Sequence, residues 1–125
     1  MAKVKQLTIS LENQPGALAK MARVLADAKV NISALLLGST AGSQGSVQVV
    51  VDDIRKAKKA LEQALLPYSE GIVEEFELAN KPGALAELAE KLAKKGMNID
   101  SAYASMGKGA KKAVVVLATS QKGGV

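Results

Sequence analysis

The 125-residue chain contains no cysteine, no histidine and no tryptophan. These absences exclude disulfides, thiolate nucleophiles and the zinc or copper sites that Cys and His side chains build. Catalytic triads and imidazole proton shuttles need a side chain that titrates near neutral pH, so they are excluded as well. We therefore expect no catalytic residues, no metal site and no cofactor, and we do not expect an enzyme.

Aromatic residues are almost missing, since only Tyr68, Phe76 and Tyr103 are present. The net charge of +5 is compatible with binding to a nucleic acid. RNA-binding sheets, however, stack bases on aromatic side chains, and three aromatics are too few for such a surface. The densest basic cluster, residues 55–59, is interpreted as solvent-exposed charge on a helix or as a contact for an acidic partner. We expect no nucleic-acid partner.

Long apolar runs are missing too. No segment approaches the roughly 18 apolar residues of a membrane-spanning helix. The N-terminus alternates apolar and polar residues instead of forming the apolar core of a signal peptide. We therefore expect a cytoplasmic protein without a membrane partner.

What the chain does contain is an internal repeat. A shift of 67 residues places Asn-Gln-Pro-Gly-Ala-Leu-Ala at 13–19 on Asn-Lys-Pro-Gly-Ala-Leu-Ala at 80–86. The same ungapped shift matches Asn31 and Ile32 with Asn98 and Ile99, Gly42 with Gly109, and Val47 and Val49 with Val114 and Val116. We infer a duplicated module, with residues 1–70 as the first copy and residues 71–125 as a truncated second copy.

Both copies predict the same order of strands and helices. The alternation of Leu7, Ile9 and Leu11 predicts a strand with one buried face. The Asn-x-Pro-Gly segment then predicts a helix start, with the Pro in the first turn and the Asn as its cap. A second strand, a hairpin and a Val-rich third strand follow. Only the first copy continues into another helix, which Asp53 caps and whose apolar stripe reaches Leu65.

These elements predict the fold class. A βαββ(α) order is typical of an α+β, ferredoxin-like layer, with helices on one face of an antiparallel sheet. Only one strand, at about 71–78, fits between the copies, so it must end the first copy, begin the second, or serve both. We expect the two repeats to share one continuous sheet of about six strands. Because the second copy has only one helix to cover its sheet, we also expect a homodimer.

The repeated residues resemble the ACT domain family. The resemblance is carried by the strand, both Asn-x-Pro-Gly-Ala-Leu-Ala segments, the Leu/Ala helix, and the segments Val-Asn-Ile-Ser and Met-Asn-Ile-Asp. It covers residues 4–66 as a nearly whole module and residues 72–120 as a truncated one. ACT domains are amino-acid-sensing modules, and the chain also resembles small stand-alone proteins with two such domains. The resemblance implies a small amino acid as ligand and an enzyme of amino-acid metabolism as partner.

The resemblance also implies the position of the ligand. The family's site lies between the loop after the first strand of one domain and the start of the second strand of a neighbouring domain. The first site in this sequence comprises Asn13, Gln14, Pro15, Gly16, Ala17 and Leu18, with Asn31 and Ile32. The second site comprises Asn80, Lys81, Pro82, Gly83, Ala84 and Leu85, with Asn98 and Ile99.

The chemistry of these residues suits a zwitterion. Glycine lets a ligand approach the backbone, and the unpaired N–H groups of the first helical turn can hold a carboxylate. An Asn amide offers both a donor and an acceptor. The alternative interpretation makes Asn13 and Asn80 helix caps, and Asn31 and Asn98 turn formers. Lys81 either favours a carboxylate-rich ligand or is simply solvated.

Three other features of the sequence are weaker candidates for a functional site. The carboxylates of Glu74, Glu75 and Glu77 are interpreted as charge on a strand surface, because no His or Cys accompanies them. The Gly107-Lys108-Gly109 segment lacks the phosphate-binding pattern. Tyr103 is interpreted as a partly buried sheet aromatic, although it offers a ring for ligand stacking.

The sequence therefore predicts a non-catalytic regulatory sensor that binds a small amino acid and transmits binding to a partner. The alternative is an interaction subunit that docks on an enzyme of amino-acid metabolism without binding a metabolite.

Overall fold

The computed structural model of the chain describes residues 2–39, 43–105 and 109–121. The Gly107-Lys108 segment and the match at Gly42 lie outside the described residues. Along the described chain the elements are β1 (Ala2–Glu12), α1 (Ala17–Asp27), β2 (Ile32–Ser39), β3 (Gln44–Val51), α2 (Ile54–Gln63), β4 (Tyr68–Ala79), α3 (Ala84–Lys94), β5 (Met97–Ser105) and β6 (Lys112–Gln121). They form two compact units, which we call the first unit (Lys5–Gly71) and the second unit (Met1–Val4 with Ile72–Val125).

The first unit has a ferredoxin-like βαββαβ order. Its antiparallel strands follow the order β2-β3-β1, and the first residues of β4 lie beside β1. Leu7 pairs with Val49 between β1 and β3, and Ile32 pairs with Val51 between β2 and β3. The backbone N–H of Ser10 donates to the carbonyl of Pro67 at 3.0 Å, just before β4 begins.

The core of the first unit lies between its sheet and both of its helices. The predicted alternation in β1 is confirmed, because Leu7 and Ile9 are fully buried and Leu11 is nearly so. They pack in one cluster with Met21 and Leu25 of α1, Val47 and Val49 of β3, and Ala57 and Leu61 of α2. Both helices therefore cover the same face of the sheet. Each such aliphatic side chain contributes about 1.5–3 kcal/mol through burial.

The second unit repeats this arrangement with one helix. Its antiparallel strands follow the order β4-β6-β5, and α3 packs on one face. Its core cluster consists of Leu88, Leu92, Val115 and Leu117, with Phe76, Leu78, Met97 and Ile99 packed against it. The predicted fold class, an α+β fold of antiparallel strands and helices in two ferredoxin-like repeats, is confirmed. β4 has residues in both units, so one strand serves both.

The ungapped match between the Val-rich strands is wrong by one residue. Leu7 pairs with Val49, whereas the residue 67 positions after Leu7, Glu74, pairs with Leu117 and not with Val116. The second hairpin therefore holds one residue more than the first. Side chains alternate between the faces of a strand, so a one-residue slip exchanges buried and exposed positions. Val114, which the ungapped match equated with a fully buried valine, is accordingly 38% exposed.

The predicted N-cap of α2 is confirmed. The carboxylate of Asp53 caps α2 by accepting from the backbone N–H of Lys56 at 3.1 Å. At the C-termini of α1 and α3, Lys29 and Gly96 adopt the left-handed conformation that stops a helix. The predicted extension of the α2 stripe to Leu65 is wrong. Leu65 lies beyond the helix in a left-handed turn with φ 58°, and it is 87% exposed.

Candidate functional site

The two Asn-x-Pro-Gly segments are held by equivalent backbone hydrogen bonds. We call residues 13–16 the first loop and residues 80–83 the second loop. The backbone N–H of Asn13 donates to the Ser43 carbonyl at 2.8 Å, and that of Asn80 donates to the Lys111 carbonyl at 2.9 Å. The next residue in each loop donates back to the last residue of the preceding strand, at 2.9 Å in both cases. Each loop is thus held between a strand end and the start of the third strand.

Glycine, and not asparagine, caps the helix after each loop. Gly16 has φ 88° and Gly83 has φ 90°, and α1 and α3 begin directly after them without a side-chain cap. The cap role predicted for Asn13 and Asn80 is therefore wrong, and both prolines precede the helix instead of lying in its first turn. Glycine takes this position because a positive φ costs it little. The N–H groups of Ala17 and Ala84 donate to the carbonyls of Gln14 and Lys81 at 3.3 and 3.4 Å. Those of the next two residues in each helix have no acceptor within the helix and can donate to a ligand or to water.

The side chain of Asn80 has a structural partner that sequence reasoning missed. Its Nδ2 donates to the carbonyl of Ala110 at 2.9 Å, which ties the second loop to the hairpin before β6. One of the two Nδ2 hydrogens is thus committed within the protein. Its Oδ1 is an acceptor, which suits an amino group better than a carboxylate.

A cavity of about 290 Å³ lies beside the second loop. Its walls come from the end of β4, the first turn of α3, and the middle of β5 and β6. The residues around it are Leu78, Ala79, Asn80, Lys81, Ala84, Leu85, Ala102, Tyr103, Ala104, Ala113 and Val115. Four of the six predicted loop and helix residues of the second site, from Asn80 to Leu85, therefore border one cavity.

A different cavity, of about 440 Å³, lies beside the first loop. The residues around it are Ser10, Leu11, Glu12, Gln14, Ala17, Lys20, Gln44, Leu65, Leu66 and Pro67. Glu12, Gln14, Lys20 and Gln44 make its wall polar. Of the predicted first-site residues, only Gln14 and Ala17 border it.

The predicted second-strand residues lie away from the loops of their own units. The first loop adjoins Ser43, whereas Asn31 lies at the other end of β3. There the Asn31 backbone N–H donates to Oδ1 of Asp52 at 2.9 Å, and the Asn31 carbonyl accepts from the Asp52 backbone N–H at 3.0 Å. The seven steps from Gln44 to Val51 span about 23 Å, and Ser43 and Asp52 lie one residue beyond either end of β3. In the second unit, Asn98 likewise pairs with Ser120, far from Lys111 along β6. The predicted combination of loop and second strand therefore needs a neighbouring module, as the family resemblance implies.

Both second strands carry one extra residue at equivalent positions, a feature that sequence reasoning missed. The pairing register shifts between Ile32 and Ala34 in β2, and between Ile99 and Ser101 in β5. The extra residue in β2, Ser33, donates its hydroxyl to the carbonyl of Val50 at 3.1 Å. Such bulges are common next to functional sites, where they redirect side chains.

The ring of Tyr103 lies on the sheet face opposite α3. Tyr103 pairs with Val116, whereas the neighbouring Val115 and Leu117 belong to the core that α3 covers. Burial, with a smaller contribution from the charge of Glu75, raises the pKa of the Tyr103 hydroxyl to about 12. These positions support the interpretation of Tyr103 as a partly buried sheet aromatic.

Two of the charged residues singled out in the sequence, Lys58 and Glu77, form ion pairs. Lys58, from the basic cluster on α2, contacts Glu70 at 2.7 Å, which lowers the pKa of the Glu70 carboxyl and raises that of Lys58. Glu77 contacts Lys112 across the strands at 3.1 Å. Within the described residues, no group of three or more acidic side chains is arranged to hold a metal ion.

A groove of about 560 Å³ runs along α3 in the second unit. Phe76 and Leu78 of β4 form its floor, and Lys81, Lys91 and Lys95 are among its border residues. The equivalents of Phe76 and Leu78 in the first unit are Ile9 and Leu11, which α2 helps to bury.

No helix in the described part of the chain is long and apolar enough to cross a membrane.

The model of the ACT domain family matches residues 5–65. No curated protein matches the chain. Protein BT0572 from Bacteroides thetaiotaomicron has a similar structure with 34% sequence identity and a TM-score of 0.88, covering 94% of this chain and 80% of that one.

Two regulatory subunits of aspartate kinase share the fold at 19% identity. The subunit from Thermus thermophilus, in its ligand-free form, has a TM-score of 0.69 and covers 92% of this chain and 82% of that one. The subunit from Thermus flavus has a TM-score of 0.60 and covers 93% of this chain and 85% of that one. Together with the family match at residues 5–65, the repeated loop geometry leads to one conclusion: the chain belongs to the ACT domain family.

Proposed function

We propose that this protein is a non-catalytic regulatory sensor that binds a small amino acid beside its Asn-x-Pro-Gly loops. The observation that carries the proposal is the identical fastening of the two loops. Each presents uncapped backbone N–H groups at a helix N-terminus in a chain of the ACT domain family. Those N–H groups and the positive helix end can hold an α-carboxylate, which is common to all amino acids.

The proposed sites are those that the sequence predicts. The first uses residues 13–18 with Asn31 and Ile32, and the second uses residues 80–85 with Asn98 and Ile99. Because the strand residues lie about 23 Å or more from the loop of their own unit, a neighbouring module of another copy would supply them. A homodimer would provide that module and would also cover the groove along α3.

The proposed output is a partner enzyme of amino-acid metabolism in the cytoplasm. The fold shared with regulatory subunits of aspartate kinase supports an enzyme as the partner. Binding would stabilise one arrangement of the modules, 1–70 and 71–125, and the partner would respond to that arrangement.

Thermal unfolding in the presence of each of the twenty amino acids tests this function. A ligand at about 100 times its dissociation constant adds about 2.7 kcal/mol to the free energy of unfolding. Lys81→Glu should weaken the shift, because it places a negative charge beside the proposed carboxylate site. Lys94→Glu, an exposed change at the other end of α3, is the matched control and should leave the shift intact. The function is wrong if the folded protein responds to none of the twenty.

A second candidate function is ligand-independent docking on a partner enzyme. Leu35, Leu36 and Leu37 are all exposed on β2, a strand at the edge of the first unit. Exposed apolar edge strands pair readily with other chains. Under this alternative, Leu36→Lys abolishes partner binding, while no amino acid shifts the unfolding transition.

A further inference from the structure

The cavity beside the second loop is apolar apart from one side. Leu78, Leu85 and Val115 surround it with five alanines, Ala79, Ala84, Ala102, Ala104 and Ala113. Asn80 and Lys81 are the polar residues at its border next to the start of α3, and Tyr103 borders it from β5. An amino acid whose carboxylate lies at Lys81 and the helix N-terminus therefore meets apolar side chains beyond its α-carbon.

The two alanines of β5 that border this cavity have larger residues at the equivalent positions of the first unit. Ala102 pairs with Leu117 and Ala104 with Val115, so both lie on the face that α3 covers. The residues in the same register of the first unit are Leu35, which pairs with Val49, and Leu37, which pairs with Val47. Each leucine carries three carbon atoms more than alanine. The second unit therefore has space where the first has leucine side chains.

Size and polarity limit the occupant. About 290 Å³ lies at the low end of small-molecule pockets and suits a ligand the size of a free amino acid. A charged or amide side chain would lose its hydration against the apolar wall without gaining a hydrogen-bond partner there. An aliphatic side chain, by contrast, gains from every carbon atom that it buries.

We propose that the second unit is selective for amino acids with branched aliphatic side chains, and that Ala102 and Ala104 determine this selectivity. The inference rests on the proposed function, since it assigns the ligand class of the same site. We do not expect the first unit to share this selectivity, because it has Leu35 and Leu37 in the equivalent positions and a polar cavity beside its loop.

Isothermal titration calorimetry of the full chain tests the selectivity. Leucine, isoleucine and valine should bind, and leucine should bind about 50-fold more tightly than alanine, because three additional carbon atoms are buried. Ala104→Leu should reduce the affinity for leucine at least about 10-fold by filling the cavity. Ala93→Leu, an exposed change on α3 outside the cavity, is the matched control and should leave the affinity unchanged. Circular dichroism checks that both variants are folded.

The possible results of these titrations distinguish a failure of the proposed selectivity from a failure of the proposed sensor function. If a polar or charged amino acid binds more tightly than leucine, and Lys81→Glu weakens its binding, the sensor function stands and the aliphatic selectivity is overturned. Unchanged leucine affinity in folded Ala104→Leu also overturns the selectivity. If no amino acid binds the folded wild-type protein, both proposals fail.

Discussion

Replacing Gly83 with alanine probes the backbone geometry on which the second loop depends. Gly83 has φ +90°, and a Cβ added there would meet no atom within 4 Å. The substitution therefore strains the backbone without a steric clash. Gly71 supplies a matched control, because a Cβ added there also meets nothing within 4 Å and its φ lies outside the left-handed region.

The expected difference follows from these two environments. A left-handed conformation costs a residue with a Cβ roughly 1–2 kcal/mol. Both substitutions share the gain of about 0.4–1 kcal/mol from a less flexible unfolded chain, so that contribution cancels in the comparison. Gly83→Ala should therefore be about 1–2 kcal/mol less stable than Gly71→Ala. For a chain of this length, the corresponding difference in Tm is about 4–8 °C.

Urea unfolding and differential scanning calorimetry measure this difference. Gly83→Asn should lie between Gly83→Ala and the wild type, because asparagine tolerates the left-handed region better than alanine. Gly16→Ala should repeat the result in the first loop, where φ is +88°. Equal stability of Gly83→Ala and Gly71→Ala would refute the role of a left-handed glycine in starting α3.

Three further predictions concern the first unit. Leu61→Ala should cost about 2–5 kcal/mol in urea unfolding, because Leu61 is fully buried, whereas Leu65→Ala should change stability by less than about 0.5 kcal/mol. Asp53→Ala should cost about 0.5–2 kcal/mol in the same assay, because α2 loses its N-cap hydrogen bond. The pair with Lys58 lowers the pKa of Glu70, so its stabilisation is present above the ordinary value of 4.5 and is lost as pH falls through the lowered pKa. Glu70→Gln should remove this loss from the pH dependence of Tm.

A specific result would contradict each of these three predictions. Equal losses in Leu61→Ala and Leu65→Ala would mean that α2 packs through a different face. An unchanged stability of Asp53→Ala would exclude its carboxylate as the cap. Lys5 also contacts Glu70, at 3.5 Å, so Lys58→Gln should keep a smaller part of the acid loss, whereas Glu70→Gln removes it; an unchanged acid profile in Glu70→Gln would contradict the role of Glu70.

The fold was largely predictable because its signals are local and occur twice. The alternation of Leu7, Ile9 and Leu11 depends only on which face of β1 meets the helices, so the sequence pattern shows it directly. Asp53 caps α2 through residues within a single turn. Both features leave a pattern within a few consecutive residues of the sequence.

The errors concern features that a residue pattern does not specify. The additional residue in the second hairpin falls in a segment where the two copies share little sequence, and the strand pairing, such as that of Glu74 with Leu117, reveals it. The Asn-x-Pro-Gly segment fits a cap at either the asparagine or the glycine, and the backbone angle of Gly83 decides between them.

The candidate site was predicted in part. The repeated motif identified the two loops, but not the bond from Asn80 to Ala110, which depends on how the hairpin folds back. The cavity is formed by Ala102 and Ala104, and their small size carries no signal until the strand register places them opposite α3. Composition alone does not distinguish such an alanine from one that fills a core.

Amide chemical shifts measured by NMR on ¹⁵N-labelled protein show whether an amino acid binds beside the second loop. On addition of leucine, the amide signals of Lys81, Gly83, Leu85, Ala102 and Ala104 should shift together and saturate at one ligand concentration. Saturable shifts confined to residues remote from this cavity, or no shifts with any of the twenty amino acids, would contradict it.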